Sequence, residues 1–182
     1  MRIFIAIDFD KAIKTYFEAI KDKLENYCIK GSFTRRENFH LTLQFIGELE
    51  ELSIPKLVSA LEECILKHPA FSLTLSKLGS FKKGDAHILW VGLNHSEELV
   101  SIYKELAHTL KHENITFDEK PLKPHITIGR RVVFKKHVGD FENLLTIDNL
   151  IIPVANITLM ESKQVAGKLT YTPLATFPLL KE

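Results

Sequence analysis

The chain has 182 residues, with 24 Lys and Arg set against 23 Asp and Glu for a net charge of +1, and 45% of it is hydrophobic. That balance excludes a disordered chain or one that coats polyanions by bulk charge, so any anion site must come from local clustering. Cys28 and Cys64 are too few for a disulfide framework and lack zinc-ligand spacing, and no run approaches the roughly 20 apolar residues of a membrane span. The reading is a cytoplasmic protein with reduced thiols and no membrane contact.

The apolar run from Met1 to Ile7 is too short for a signal peptide, meets Asp8, Asp10 and Lys11 at once, and reads as a first strand. Ile13, Phe17, Ile20 and Leu24 then form the stripe of an amphipathic helix capped by Asp8 or Asp10. Phe39 to Ile46 is a strand ended by Gly47, and Ser53 with Pro55 opens a second helix carrying Leu57, Leu61 and Ile65, closed near His68-Pro69. Phe71 to Leu78 and His87 to Leu93 have strand composition, with Lys82-Lys83-Gly84-Asp85 as the hairpin turn between them. Ser96, Glu97 and Glu98 open a third helix with Leu99, Ile102, Tyr103, Leu106 and Leu110 on its buried face. A strand starts at His125. Leu150 to Met160 and Leu169 to Leu179 are two more, joined through Gly167, where Pro153, Pro173 and Pro178 favour edges or bends.

Within this layout one tetrad occurs twice: His40-Leu41-Thr42-Leu43 and His125-Ile126-Thr127-Ile128. Composition alone gives about 0.5 His-x-Thr triplets in such a chain, and about 0.04 with aliphatic residues at the other two positions. Each copy alternates with a strand's two-residue period, so imidazole and hydroxyl share one face and the aliphatics the other, with Gln44 next on the polar face. Two histidines across a pocket can divide acid–base work, since an imidazole near its ordinary pKa populates both protonation states around neutrality. A threonine two residues along can hold a phosphate oxygen. One histidine on each side suits the in-line displacement of a phosphoryl group without a metal.

A metal role is not favoured, because carboxylates or a denser histidine cluster would accompany it and Glu37 and Glu48 lie outside the tetrads. His108 and His112, four apart on the third helix, lack the glutamate of a zinc-protease helix and read as solvated. No chemistry is assigned to His68, His87, His95 and His137. Arg35-Arg36, Lys82-Lys83, Arg130-Arg131 and Lys135-Lys136 read as solvated loop charges, with Arg130 set apart because, at the end of the motif strand three residues after Thr127, it can reach a phosphate.

The paired tetrads in this context resemble the two-histidine (2H) phosphoesterase superfamily, and within it the RNA 2′,3′-cyclic phosphodiesterases known as LigT-like 2′-5′ RNA ligases. The resemblance runs from Arg2-Ile3-Phe4-Ile5-Ala6-Ile7 through Asn38 to Glu48, Phe81, Ile88 to Gly92 and Pro124 to Arg130, and ends with Leu159 to Ser162, Gly167, Tyr171 and Phe177-Pro178-Leu179. It implies an α+β fold in which residues 1–182 form one bilobal domain. Two antiparallel sheets would line a central cleft with helices outside, related by a pseudo-two-fold duplication. It also implies hydrolysis of an RNA 2′,3′-cyclic phosphate to a 2′-phosphomonoester without cofactor or metal, by a monomer acting on RNA ends. His40 would protonate the departing 3′ oxygen, His125 would activate water, and Thr42 and Thr127 would hold the phosphate oxygens, beside the Arg130 read above from its position as a phosphate ligand. The same site run backwards would join the cyclic end to a 5′-hydroxyl. Asp8-Phe9-Asp10 stands where many relatives carry proline, a difference that touches helix capping only. Alternatives are another cyclic or 2′-5′-linked nucleotide as substrate, or a nucleotide-binding module with little turnover.

Overall fold

A computed structural model describes residues 1–136 and 138–181; His137 lies outside the described residues. Strand β1 (Arg2–Asp8) leads into helix α1 (Lys11–Glu25), followed by β2 (Cys28–Phe33), β3 (His40–Glu48) and α2 (Ile54–Ile65). A hairpin of β4 (Phe71–Lys83) and β5 (Ala86–Leu93) precedes α3 (Glu97–His112), β6 (His125–Phe134), β7 (Ile151–Val154), β8 (Asn156–Val165) and β9 (Lys168–Pro178). Among the described residues the strands run in the order β7-β4-β5-β6-β3-β1-β8-β9, with β2 added beside β6.

The chain itself forces this sheet to curl. β7 and β8 stand six places apart in the strand order, about 29 Å in a flat sheet, yet only Ala155 separates them, a link that spans no more than about 7 Å. The two ends of the sheet therefore approach each other, and a concave face results. The helices cover the other face. Ile13, Phe17, Ile20 and Leu24 of α1, Leu57 and Leu61 of α2, and Leu99, Ile102, Leu106 and Leu110 of α3 share one core with Ile3, Ile5, Ile7, Leu41, Ile126 and Ile128 of the strands. A small separate cluster of Phe4, Ala6 and Met160, with Tyr171, marks the concave side.

The expected duplication is visible in the pairing. β1 lies antiparallel to β3, with Asp8 opposite His40 and Ala6 opposite Thr42; β5 lies antiparallel to β6, with Gly92 opposite His125 and Trp90 opposite Thr127. Each motif strand thus sits beside the strand that precedes its helix. The two halves meet at one residue pair, Leu41 opposite Ile126, after which β2 takes over the edge of β6 from Gly129 to Phe134. The two expected sheets are in this way one continuous strand path with a narrow seam.

Several boundaries differ from expectation. β2 was not anticipated, because Cys28 to Phe33 are mostly exposed and carry no apolar alternation; β6 imposes its extended form. The strand expected from Leu150 to Met160 is two strands, broken where the chain crosses at Ala155. β4 continues through Lys82 and Lys83, leaving Gly84-Asp85 as the turn, with Gly84 at φ 62°. Pro153 and Pro173 do fall on the edge strands β7 and β9. Asp10, not Asp8, caps α1 by accepting from the Ile13 amide at 2.9 Å, while Asp8 pairs with Lys14 at 2.6 Å. Asp10→Ala should remove about 1 kcal/mol and lower the melting temperature by about 2–4 °C, whereas an unchanged melting temperature would show the cap to be dispensable.

Candidate active site

Both tetrads alternate as the two-residue period requires. Leu41, Leu43, Ile126 and Ile128 are buried in the core, and His40, Thr42, His125 and Thr127 are half-buried on the concave face. The Leu41–Ile126 pair fixes how they meet, since β3 and β6 are antiparallel. Continuing that register places His40 across from Thr127 and Thr42 across from His125. The histidines occupy one diagonal of a four-residue rectangle and the threonines the other. Diagonal neighbours on adjacent strands lie about 7–8 Å apart, room for one phosphoryl group between two imidazoles.

Each imidazole is held the same way. His40 Nδ1 lies 2.7 Å from the Asn38 carbonyl and His125 Nδ1 lies 2.5 Å from the Lys123 carbonyl, in both cases two residues back along the chain. A carbonyl only accepts, so each Nδ1 carries the proton and donates it, and Nε2 is the nitrogen available to a ligand. In the neutral ring, His40 Nε2 accepts from the Thr42 hydroxyl at 2.9 Å. Aromatic walls then fix the ring planes. Tyr171 meets His40 edge-on with centroids 5.0 Å apart, Phe4 lies at 5.0 Å on another side, and Phe81 meets His125 edge-on at 5.2 Å. Trp90 stands 6.2 Å from His125, its indole lying over Gly79, where an added Cβ would fall 2.1 Å from the ring.

Burial lowers the His40 pKa to about 4, with the nearby Arg130 and Lys14 charges pushing the same way and the Asn38 carbonyl and Asp8 opposing. His125 is lowered by burial and by Arg130, against the Lys123 carbonyl. Both shifts favour the neutral imidazole around pH 7, next to Arg130.

Arg130 reaches the cleft by a route the two-residue period does not foresee. Strict alternation would send it into the core with Ile126 and Ile128, and it lies within β6, not at its end. Register breaks in the pairing of β6 with both β2 and β5, together with Arg131 at φ 54°, form a bulge there. Bulges re-aim side chains, and Arg130 consequently lines the same cavity as His40 and Thr42. A similar slip between Ile5 and Ala6 sets Gln44 opposite Ile5, where it is 1% exposed, and Phe45 opposite Phe4. Phe45, not Gln44, follows Thr42 along the cavity that holds His40.

Three neighbouring cavities that share lining residues make up the cleft. The first, about 360 Å³, holds His40, Thr42, Arg130, Phe4 and Tyr171. It shares Arg130, Leu169 and Tyr171 with a neighbouring cavity of about 640 Å³, where Arg35, Lys83, Arg131 and Lys168 converge from four parts of the chain. Thr42 and Phe45 are also shared with a third, about 350 Å³, on the side of His125. Lys83 and Arg131 are exposed and Arg35 partly so, as the solvated reading has it, but strand crossing, which no local signal carries, gathers all three at one cavity. Arg35 and Asn38 both donate to the Leu169 carbonyl, at 2.6 and 2.9 Å, tying the β8–β9 hairpin to the entrance of β3. Lys135 instead donates to the Asn26 carbonyl, Arg36 pairs with Glu18, and His112 pairs with Glu113 on the exposed end of α3. His87 accepts from or donates to Ser80 at 2.9 Å, and His95 pairs with Glu97.

The model of the 2′-5′ RNA ligase superfamily matches residues 9–147. The chain belongs to that superfamily. It is 34% identical over 173 residues, 94% of this chain and 89% of the relative, to the RNA 2′,3′-cyclic phosphodiesterase of Thermotoga maritima. Solved structures share the fold. Escherichia coli LigT in complex with 3′-AMP has a TM-score of 0.79 and 25% identity, covering 98% of this chain and 97% of LigT. The Thermus thermophilus protein TT0787 has a TM-score of 0.83 at 22% identity, covering 98% and 97%. The α+β architecture that the resemblance implies is that of these structures. Among the described residues no helix is long and apolar enough to cross a membrane.

The lowered histidine pKa values make stability depend on pH with a definite sign. The unfolded chain binds protons at these rings near pH 6.5 while folded His40 resists them until about pH 4, so stability is lost as pH falls through that window. Between those limits the denaturation midpoint should fall less in His40→Gln than in the unmodified protein. Equal falls would contradict the desolvated, neutral imidazole.

Proposed function

We propose that this protein hydrolyses the 2′,3′-cyclic phosphate at an RNA end to a 2′-phosphomonoester, using His40 and His125 as acid and base. The observation that carries the proposal is the diagonal quartet, two imidazoles on adjacent strands, each fixed by a carbonyl at Nδ1 so that Nε2 is the nitrogen turned to the cleft, that of His40 bonded to the Thr42 hydroxyl. Thr42, Thr127 and Arg130 would hold the nonbridging oxygens, where hydrogen bonds to an anion are strongest.

The unequal cavities support the direction of the reaction. In a 2′,3′-cyclic phosphate the departing 3′ oxygen belongs to the same ribose as the rest of the RNA, so the RNA body lies on the leaving-group side. The basic 640 Å³ cavity continues from the His40 side and offers Arg35, Arg131 and Lys168 to backbone phosphates. His40 then protonates the 3′ oxygen, and His125, on the opposite side, takes the proton from water. A lone cyclic nucleotide would fill the 360 Å³ cavity and leave this basic extension unused, which favours RNA as substrate.

Both rings are neutral in the empty site, so the required proton enters with the substrate anion, whose charge offsets the desolvation of one imidazolium. The scheme calls on no cofactor or metal. One copy of the chain supplies both histidines, so a monomer suffices, and two free cysteines fit a reducing, cytoplasmic setting. Microscopic reversibility lets the same groups join the cyclic end to a 5′-hydroxyl, while concentrated water favours hydrolysis.

The test is incubation, with chelator, of an oligoribonucleotide bearing a 2′,3′-cyclic end, followed by identification of the terminal phosphate. The expected product is the 2′-phosphate, with His40→Ala and His125→Ala each lowering the rate by about 10²–10⁴. No turnover by the folded protein would favour the binding-module reading, and a 3′-phosphate product would reverse the assignment of the leaving oxygen.

A further inference from the structure

The outer half of the β8–β9 hairpin runs past the rest of the sheet. β1 pairs with residues 158–161 of β8, and beyond them residues 162–165 and 168–171 pair with each other as a two-stranded ribbon, a form of marginal stability by itself. Among the described residues, two hydrogen bonds tie this ribbon to the rest of the protein, and both end on the Leu169 carbonyl. One comes from Arg35 at 2.6 Å and the other from the Asn38 side chain at 2.9 Å. Asn38 is also the residue whose own carbonyl accepts from His40 Nδ1. It is buried, and its backbone amide donates to the Arg35 carbonyl at 2.9 Å. One residue thus has its side chain on the ribbon and its backbone on the imidazole.

His125 is held differently. The carbonyl there belongs to Lys123, which precedes Pro124, and a proline fixes its own φ and confines the residue before it to extended backbone. Phe39 stands at the matching place before His40 and imposes no such limit. The direction of the Asn38 carbonyl accordingly depends on what its side chain grips, which is the ribbon. Gln164, Lys168 and Leu169 of that ribbon line the basic 640 Å³ cavity together with Arg35.

We propose that Asn38 is a positioning residue that couples RNA in the basic cavity to the orientation of His40. The inference rests on the reading of His40 as the acid and of that cavity as the seat of the RNA body. Nucleotides on the 5′ side of the cyclic end, drawn to Arg35 and Lys168 on either side of the Leu169 carbonyl, hold the ribbon against the protein. The Asn38 amide then stays on Leu169, its carbonyl stays on Nδ1, and Nε2 keeps its aim at the 3′ oxygen. Binding energy from the unreacting part of the substrate becomes orientation at the reacting centre, which raises kcat as well as lowering KM. A cyclic mononucleotide in the inner cavity does not reach Lys168 and forgoes that gain.

Steady-state rates of the full-length protein on uridine 2′,3′-cyclic phosphate and on a hexaribonucleotide ending in the same cyclic residue give the test. The hexanucleotide should have the higher kcat as well as the lower KM. Asn38→Ala keeps the backbone carbonyl and the cations of the cavity but releases the ribbon. It should lower kcat on the hexanucleotide by up to about 10²-fold, lower it much less on the mononucleotide and leave both KM values nearly unchanged, so that the kcat ratio of the two substrates falls towards one. A variant that slows both substrates by the same factor, or slows neither, would overturn the role of Asn38 while hydrolysis stood. Should the variant fail to fold, the unmodified protein still decides: equal kcat on the two substrates, with the advantage of the longer one confined to KM, overturns the coupling. No turnover of either substrate by the unmodified protein would instead bring down the reading on which the inference rests.

Discussion

A single backbone pairing, Leu41 opposite Ile126, sets everything at the centre of this molecule. It is the one register at which the two motif strands touch, and it decides that the histidines fall on one diagonal and the threonines on the other. A shift by one residue would turn one tetrad's polar pair into the core and its aliphatics into the cleft. That outcome is resisted from both sides, because Leu41 and Ile126 are fully buried among the helices while His40 and His125 hydrogen-bond to carbonyls of their own segments. The seam is also short. β2 displaces β3 from the edge of β6 immediately afterwards, so the strands splay and a cleft opens where a longer ladder would have left none.

The cleft trades solvation for chemistry. Burying two imidazoles beside Arg130 disfavours their charged forms, a cost carried by the folded protein while the site is empty. On the proposed mechanism, an anion entering between them would reverse the sign of the local field and so favour the charge that burial opposes. The carbonyls of Asn38 and Lys123 make this useful by fixing the tautomer: whichever ring is neutral has its lone pair on Nε2, and whichever is charged carries its transferable proton there. Aromatic neighbours restrict ring rotation without competing for that nitrogen.

Much of this was legible in the sequence because the relevant signals are local and periodic. The stripe Ile13, Phe17, Ile20, Leu24 and the alternation in the tetrads depend only on the side-chain period, and all four stripe residues are buried as that period requires. What escaped depends on tertiary pairing. β2 has no pattern of its own, Lys168 and Tyr171 come to the cleft from the distant β9, and Phe45 is turned into it by a slip in the pairing of β3. Arg130 is the instructive case: its proximity to the tetrad was readable, but its direction follows from a bulge that puts Arg131 at positive φ, a conformation that an arginine in the sequence does not announce.

The central claim is that each histidine serves one fixed side of the phosphorus, and a substrate that needs no proton on one side tests it directly. Uridine 2′-(4-nitrophenyl phosphate) closes to the 2′,3′-cyclic phosphate by attack of its 3′-hydroxyl, expelling nitrophenolate, which is stable as an anion. The leaving group then lies on the His125 side and requires no acid, whereas the 3′-hydroxyl still requires His40 as base. Release of nitrophenolate by His125→Ala should stay close to that of the unmodified protein, and release by His40→Ala should be largely lost. Equal losses in both variants, or the reverse pattern, would contradict the division of labour between the two sides of the cleft.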